Sequence, residues 1–206
     1  MTNLTTTTAS PIIKTSDAAA NMMRASQPML SLLKFKKGRF FCGDTEIPNG
    51  REMLAHCIEW TRGWVKFSGD QVLERLIGNV ASGFQPPQRE ELDARDERQW
   101  PVGIDGKPRD PWQYQNYLPL EDIENGERFV FVTSSTGGAI AIQKLCNLYG
   151  RRIAKGTTGF PIVGLAVGEF SSKKYGRTPR PDFPVVQWSP PDATALLDDP
   201  VDPLPF

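Results

Sequence analysis

Three stretches of the chain interleave basic and aromatic side chains. The first is Lys34-Phe35-Lys36, followed by Lys37, Arg39, Phe40 and Phe41. The second is Trp60-Thr61-Arg62-Gly63-Trp64-Val65-Lys66-Phe67. The third runs from Phe170 through Lys173, Lys174 and Tyr175 to Arg177. Cations at this density track a phosphate backbone, and flat rings accept stacked bases at about 1–3 kcal/mol per base. In a strand, neighbours point to opposite faces, so Phe35 lies opposite Lys34 and Lys36. Some of these rings therefore belong to a core with lysines outside it. The remaining candidates for stacking are Trp60, Trp64, Phe67, Tyr175 and, further along, Trp112. The candidate phosphate contacts are Lys34, Lys36, Lys37, Arg39, Arg62, Lys66, Arg151, Arg152, Lys155, Lys173, Lys174 and Arg177.

Other chemistry finds less support. Ser134-Ser135-Thr136-Gly137-Gly138 lies where a phosphate loop would, but such a loop needs a Lys followed by Ser or Thr at the helix start. The first lysine after it is Lys144. These residues read as a capping turn. His56 is the single histidine and adjoins Cys57. Adjacent strand residues point apart, and no Cys-x-x-Cys pair exists, so no metal site is expected. Glu90-Glu91 and Asp96-Glu97 stand among Arg89, Arg95 and Arg98, the pattern of a solvated face. No catalytic set is intact. The expectation is a non-enzymatic protein with neither cofactor nor metal.

Charge is sorted along the chain although 24 bases and 24 acids cancel. Residues 21–43 hold five bases and no acid, and residues 150–188 hold seven bases against Glu169 and Asp182. Residues 85–127 hold eleven acids against five bases, and residues 189–206 hold four acids and no base. A uniformly basic binder is excluded. Two basic stretches that fold together into one positive surface are expected. No apolar run reaches the roughly 18 residues of a membrane helix, so no membrane partner is expected. The threonine-rich start lacks a signal pattern, and three cysteines make no disulfide framework, so a cytoplasmic location is expected.

The chain ends Leu196-Leu197-Asp198-Asp199-Pro200-Val201-Asp202-Pro203-Leu204-Pro205-Phe206. This resembles the C-terminal tip of bacterial single-stranded DNA-binding proteins, which is acidic and closes in Ile-Pro-Phe. The resemblance covers about nine residues, and two extra prolines interrupt its acids. The body resembles a divergent, phage-type member rather than the compact bacterial proteins. The resemblance implies that Asp198, Asp199, Asp202, Leu204, Pro205 and Phe206 recruit replication or recombination partners. A phage-encoded chain would act in the bacterial host cytoplasm. The rival is a protein-interaction module, such as a phage inhibitor, whose acidic insertion mimics nucleic acid.

The elements that must position these residues follow from periodicity. Residues 1–29 read as a flexible arm. Residues 30–188 read as the nucleic-acid-binding domain, with 84–127 as a long acidic insertion and 189–206 as a disordered tail. Strands are expected over residues 33–41, over 53–67 as one long bent strand with a bulge at Gly63, and over 72–77 after a Gly69-Asp70 turn. Further strands are expected at 128–133, 160–170 and 183–188. A helix capped by Ser134, Ser135 or Thr136 ends at Gly150, and a basic turn covers 173–181. Strands, one helix, then two strands match a mostly β, OB-fold-like, five-stranded Greek-key barrel. Self-association stays open.

Overall fold

A computed structural model describes residues 31–103, 106–172 and 176–190. The expected N-terminal arm, the tail beyond Pro190 with its tip residues, and Lys173, Lys174 and Tyr175 lie outside them. The described chain is mostly β with one α-helix and a sheet that curls into a half-barrel.

Strands β1 (Ser31–Lys36), β2 (Arg39–Cys42) and β3 (Thr45–Ile47) form a meander at one edge. Next come β4 (Glu52–Ala55), β5 (Thr61–Ser68), β6 (Gln71–Asn79), β7 (Trp112–Asp122) and β8 (Arg128–Thr133). Helix α1 (Thr136–Ile153) precedes β9 (Pro161–Gly164), β10 (Ala166–Ser172), β11 (Gly176–Asp182) and β12 (Val185–Trp188). The main sheet runs β12-β9-β4-β7-β8-β1-β2-β3, with β5 also on β7 and β6 on β5. β10 and β11 make a separate two-stranded ribbon.

The main sheet has ten strands rather than five because expected long strands are interrupted and β3 and β7 form where no strand was expected. Residues 33–41 are not one strand: the chain reverses at Lys37-Gly38 to give β1 and β2. Residues 53–67 do not form one strand: a 3-10 turn at Cys57–Glu59 separates β4 from β5. Residues 160–170 break at Leu165, whose N–H donates to the Arg51 carbonyl at 2.9 Å and whose carbonyl accepts from Gly50 at 2.7 Å. Gly63 carries no bulge. The register shift falls at Lys66/Phe67 instead.

The largest correction concerns the expected insertion. Residues 112–122 are not excursion but β7, at eleven residues the longest strand, paired with β4, β5 and β8. Pro119 disguises it, because proline cannot donate to a ladder and is confined to edges and irregular sites. Here β7 pairs with β5 through Tyr117 and with β4 from Leu120, so Pro119 faces the gap left by the 3-10 turn. Its carbonyl is used there, accepting the His56 N–H at 3.1 Å.

Helix α1 begins as its sequence predicts: the Ser135 hydroxyl accepts the Gly138 N–H at 3.1 Å. It buries Ala141, Ile142, Leu145 and Tyr149. Tyr149 stacks on Phe160 with centroids 5.8 Å apart. The helix continues past Gly150 to Ile153, which places Arg151 and Arg152 in its last turn, where the helix dipole favours cations. Beneath it Leu33, Phe40, Met53, Leu118, Leu120, Phe131 and Leu165 are fully buried. Burying each such side chain contributes roughly 1.5–3 kcal/mol.

Candidate nucleic-acid interface

The β1–β2 hairpin separates its two faces by alternation. Leu33 and Phe35 turn inward, the latter edge-on to Phe40 at 5.0 Å. Lys34 and Lys36 turn outward, with Lys34 opposite Phe41 and Lys36 opposite Arg39. The turn residues Lys37 (φ 49) and Gly38 (φ 82) are both left-handed, the backbone of a tight two-residue hairpin. That conformation costs a non-glycine residue roughly 1–2 kcal/mol, yet a lysine occupies it. Arg39 pairs with Glu46 at 3.0 Å on the exposed surface. Among the described residues, no carboxylate pairs with Lys34, Lys36 or Lys37.

The β10–β11 ribbon brings the second basic stretch to this hairpin. Most of the expected basic turn is strand β11. Alternation puts Arg177, Pro179 and Pro181 on one ribbon face and Thr178, Arg180 and Asp182 on the other. Pro179 meets the hairpin turn: a Cβ added at Gly38 would lie 3.6 Å from Pro179 Cβ. The opposite face meets the start of α1, where a Cβ at Gly137 would lie 3.0 Å from Arg180 Cβ. The ribbon is therefore held between turn and helix. Arg177 is exposed, with Glu169 at 3.9 Å, and Lys144 of α1 reaches Asp182 at 3.5 Å. Arg180 is one of the seven bases of residues 150–188, and it lies opposite Gly168.

The second aromatic stretch has a different fate. Arg62 lies over the Trp60 ring at 5.5 Å, Trp64 meets Tyr114 edge-on at 5.1 Å, and Lys66 lies over Trp112 at 5.6 Å. Residues 84–100 cover this face. The Phe84 ring fills the space above Gly78, where a Cβ would come within 2.3 Å. The Trp64 indole donates to the Pro87 carbonyl at 2.8 Å, and the Trp112 indole donates to Asp93 at 2.7 Å. Asp93 also accepts from Lys66, and the two partners hold its carboxyl below the usual range, Lys66 foremost. Arg89 braces the cover with a forked pair to Asp110 at 2.6 and 2.8 Å.

Two expected stacking residues, Trp60 and Trp112, are corrected by their burial. Trp60 is 7% exposed and donates its indole N–H to Asn116, so it belongs to the core. Trp112 is 3% exposed and is likewise enclosed. Trp64 is half-buried and held by Pro87. Phe67 is half-buried at the Pro111 backbone, and Arg62 and Lys66 sit against indoles rather than in open solvent. Interleaved cations and rings here are cation–π pairs within the fold.

At the far end of α1, Arg151 and Lys155 are exposed. Arg152 instead lies 4.3 Å over the Trp188 ring and ties the helix to β12. The hairpin turn that carries Lys37 meets β11 at Pro179, two residues from Arg177. The structure does not bring Arg62 or Lys66 to that junction.

His56 is 5% exposed, with Nε2 at 3.3 Å from Glu121 and Nδ1 at 3.5 Å from Glu59. Burial lowers its pKa, opposed by Glu59. The Cys57 thiol is pushed far up by its hydrogen bond with Cys146 and by burial, so it stays protonated. Among the described residues, no three His, Cys, Asp or Glu side chains group as metal ligands, and no helix is long and apolar enough to cross a membrane. No family model, curated protein or solved structure matches the chain.

Proposed function

We propose that the chain binds single-stranded DNA without catalysis, through the basic surface of the β1–β2 hairpin and the β10–β11 ribbon. The observation that carries this reading is the Gly38–Pro179 junction. It unites two basic stretches that lie far apart in sequence, and three of their lysines have no acidic partner among the described residues. Arg151 and Lys155 extend the cationic set, and Lys173, Lys174 and Tyr175 are proposed with them. We read the curled sheet as an elaborated OB-type Greek-key barrel, with α1 between β8 and β9 in the place of the helix after the third strand. The acidic tip through Phe206 recruits replication or recombination proteins in the host cytoplasm, and self-association is compatible with the reading. The rival, an acidic insertion that mimics nucleic acid, has less support. Asp93 and Asp110 of that segment are spent on Lys66 and Arg89.

The test is titration of labelled oligo-dT, with duplex DNA beside it, at two salt concentrations. Binding to single strands weakens with salt in proportion to phosphates neutralised, with a slope near −0.7 per contact. Replacing Lys34, Lys36 and Lys37 together with Ala is expected to weaken binding to every sequence and to flatten that slope by about two. Unchanged affinity would overturn the hairpin as the interface.

A further inference from the structure

The covered β5–β7 face leaves the proposed binding surface with cations and a question about its ring. Among the described residues, Phe170 is the one aromatic side chain counted as exposed, at 41%. Its place in the ribbon is specific. Phe170 pairs with Thr178, and Gly168 with Arg180, so ring and guanidinium stem from the same ribbon face, the one opposite Arg177 and Pro179 and beside the start of α1. Gly168 leaves room for the arginine: a Cβ there would lie 3.4 Å from Arg180 Nε and 3.6 Å from Cζ. Arg180 therefore lies flat across the strand in the position next to the ring. The ring edge faces the start of α1, where a Cβ at Gly137 would lie 4.0 Å from Phe170 Cε1. No carboxylate pairs with Arg180 among the described residues. Apolar rings on an exposed ribbon gain nothing from water, whereas every nucleobase presents a π-face to such a ring.

We propose that Phe170 stacks a nucleobase while Arg180 holds the adjoining phosphate. This rests on the single-strand-binding reading above and deepens it. Recognition through one ring is tolerant of sequence, because stacking does not read base edges.

The experiment compares oligo-dT with an abasic oligonucleotide of equal length and charge, at one salt concentration. Wild type, Phe170→Ala, Phe170→Leu and Phe170→Tyr are each titrated and their thermal unfolding recorded. Phe170→Ala and Phe170→Leu are expected to lose about 5- to 150-fold on oligo-dT, the range that a stacked base contributes. Both should match wild type on the abasic strand, and Phe170→Tyr should keep wild-type binding on both. Leucine keeps apolar bulk without a flat ring, so a loss confined to alanine would overturn stacking. Equal losses on both strands, or none on either, would also overturn it and leave the cationic surface standing. A wild type that fails to bind oligo-dT would remove the parent reading and this one together.

Discussion

Lys66 and Asp93, 27 residues apart, meet at 2.5 Å at the margin of the β5–β7 face. The same carboxylate accepts the Trp112 indole N–H, so one side chain latches residues 84–100 to two strands. Asp93→Ala is expected to release both partners and loosen the cover, whereas Asp93→Asn keeps a carbonyl acceptor for Trp112 and loosens it less. Hydrogen exchange of the amides in 84–100 reads the difference. Equal protection in the alanine variant and wild type would show that Phe84 and Arg89 suffice.

The latch also has a pH dependence of known sign. Its two partners depress the Asp93 pKa below the ordinary 3.8, so its contribution is present above that value. It is lost as pH falls through the depressed value, when the carboxylate takes up a proton. Tryptophan emission on acid titration should report the change at Trp112 only in the acid range, with no step between pH 5 and 8.

His56 gives the opposite end of the titration. Burial lowers its pKa in the folded state, so the unfolded chain binds the proton more readily. Stability is full above the ordinary value of 6.5 and declines as pH falls below it. Urea midpoints measured between pH 7.5 and 5.5 should fall for wild type and stay flatter for His56→Asn.

Gly63 is irreplaceable for a steric reason. Its φ is 151, and a Cβ would stand 2.0 Å from the Leu76 carbonyl oxygen and 2.9 Å from Ile77 Cα. Both obstacles are backbone of the paired strand β6 and cannot swing aside. Gly63→Ala is expected to cost at least about 2 kcal/mol, read as a lowered denaturation midpoint. Gly43→Ala, where nothing lies within 4 Å but φ is 58, should cost less.

The C-terminal tip separates two effects in the proposed function. Deleting residues 198–206 should leave DNA affinity unchanged or slightly higher at low salt and abolish capture of a replication or recombination partner. Phe206→Ala should lose the partner alone. A truncation that loses DNA but keeps partners would assign the tail to the fold.

Much of the fold was legible where local signals act alone. The Gly69-Asp70 turn, strand 128–133 and a helix cap within residues 134–136 follow from turn chemistry, apolar patterning and capping. What escaped depends on distant partners. Trp112 and Pro119 look like loop residues until the interruption of 53–67 at Cys57–Glu59 supplies a gap for the proline. Trp60, Arg62, Trp64 and Lys66 look like a platform until residues 84–100 fold over them. Periodicity shows that a ring and a cation alternate, but not which acid arrives from elsewhere to satisfy them.

The sheet's pairing order sets how this chain must be made. β1 lies parallel to β8, and β4 is flanked by β7 and β9, so β1 and β4 each wait for sheet partners far along the chain. A ribosome delivering residues from the N-terminus exposes β1–β3 and β4 well before their neighbours emerge. Local hairpins such as β1–β2 and β5–β6 can close at once, but the sheet that joins them cannot. Folding should therefore be slow and largely complete only after β9 has left the exit tunnel, with the interval at risk of aggregation.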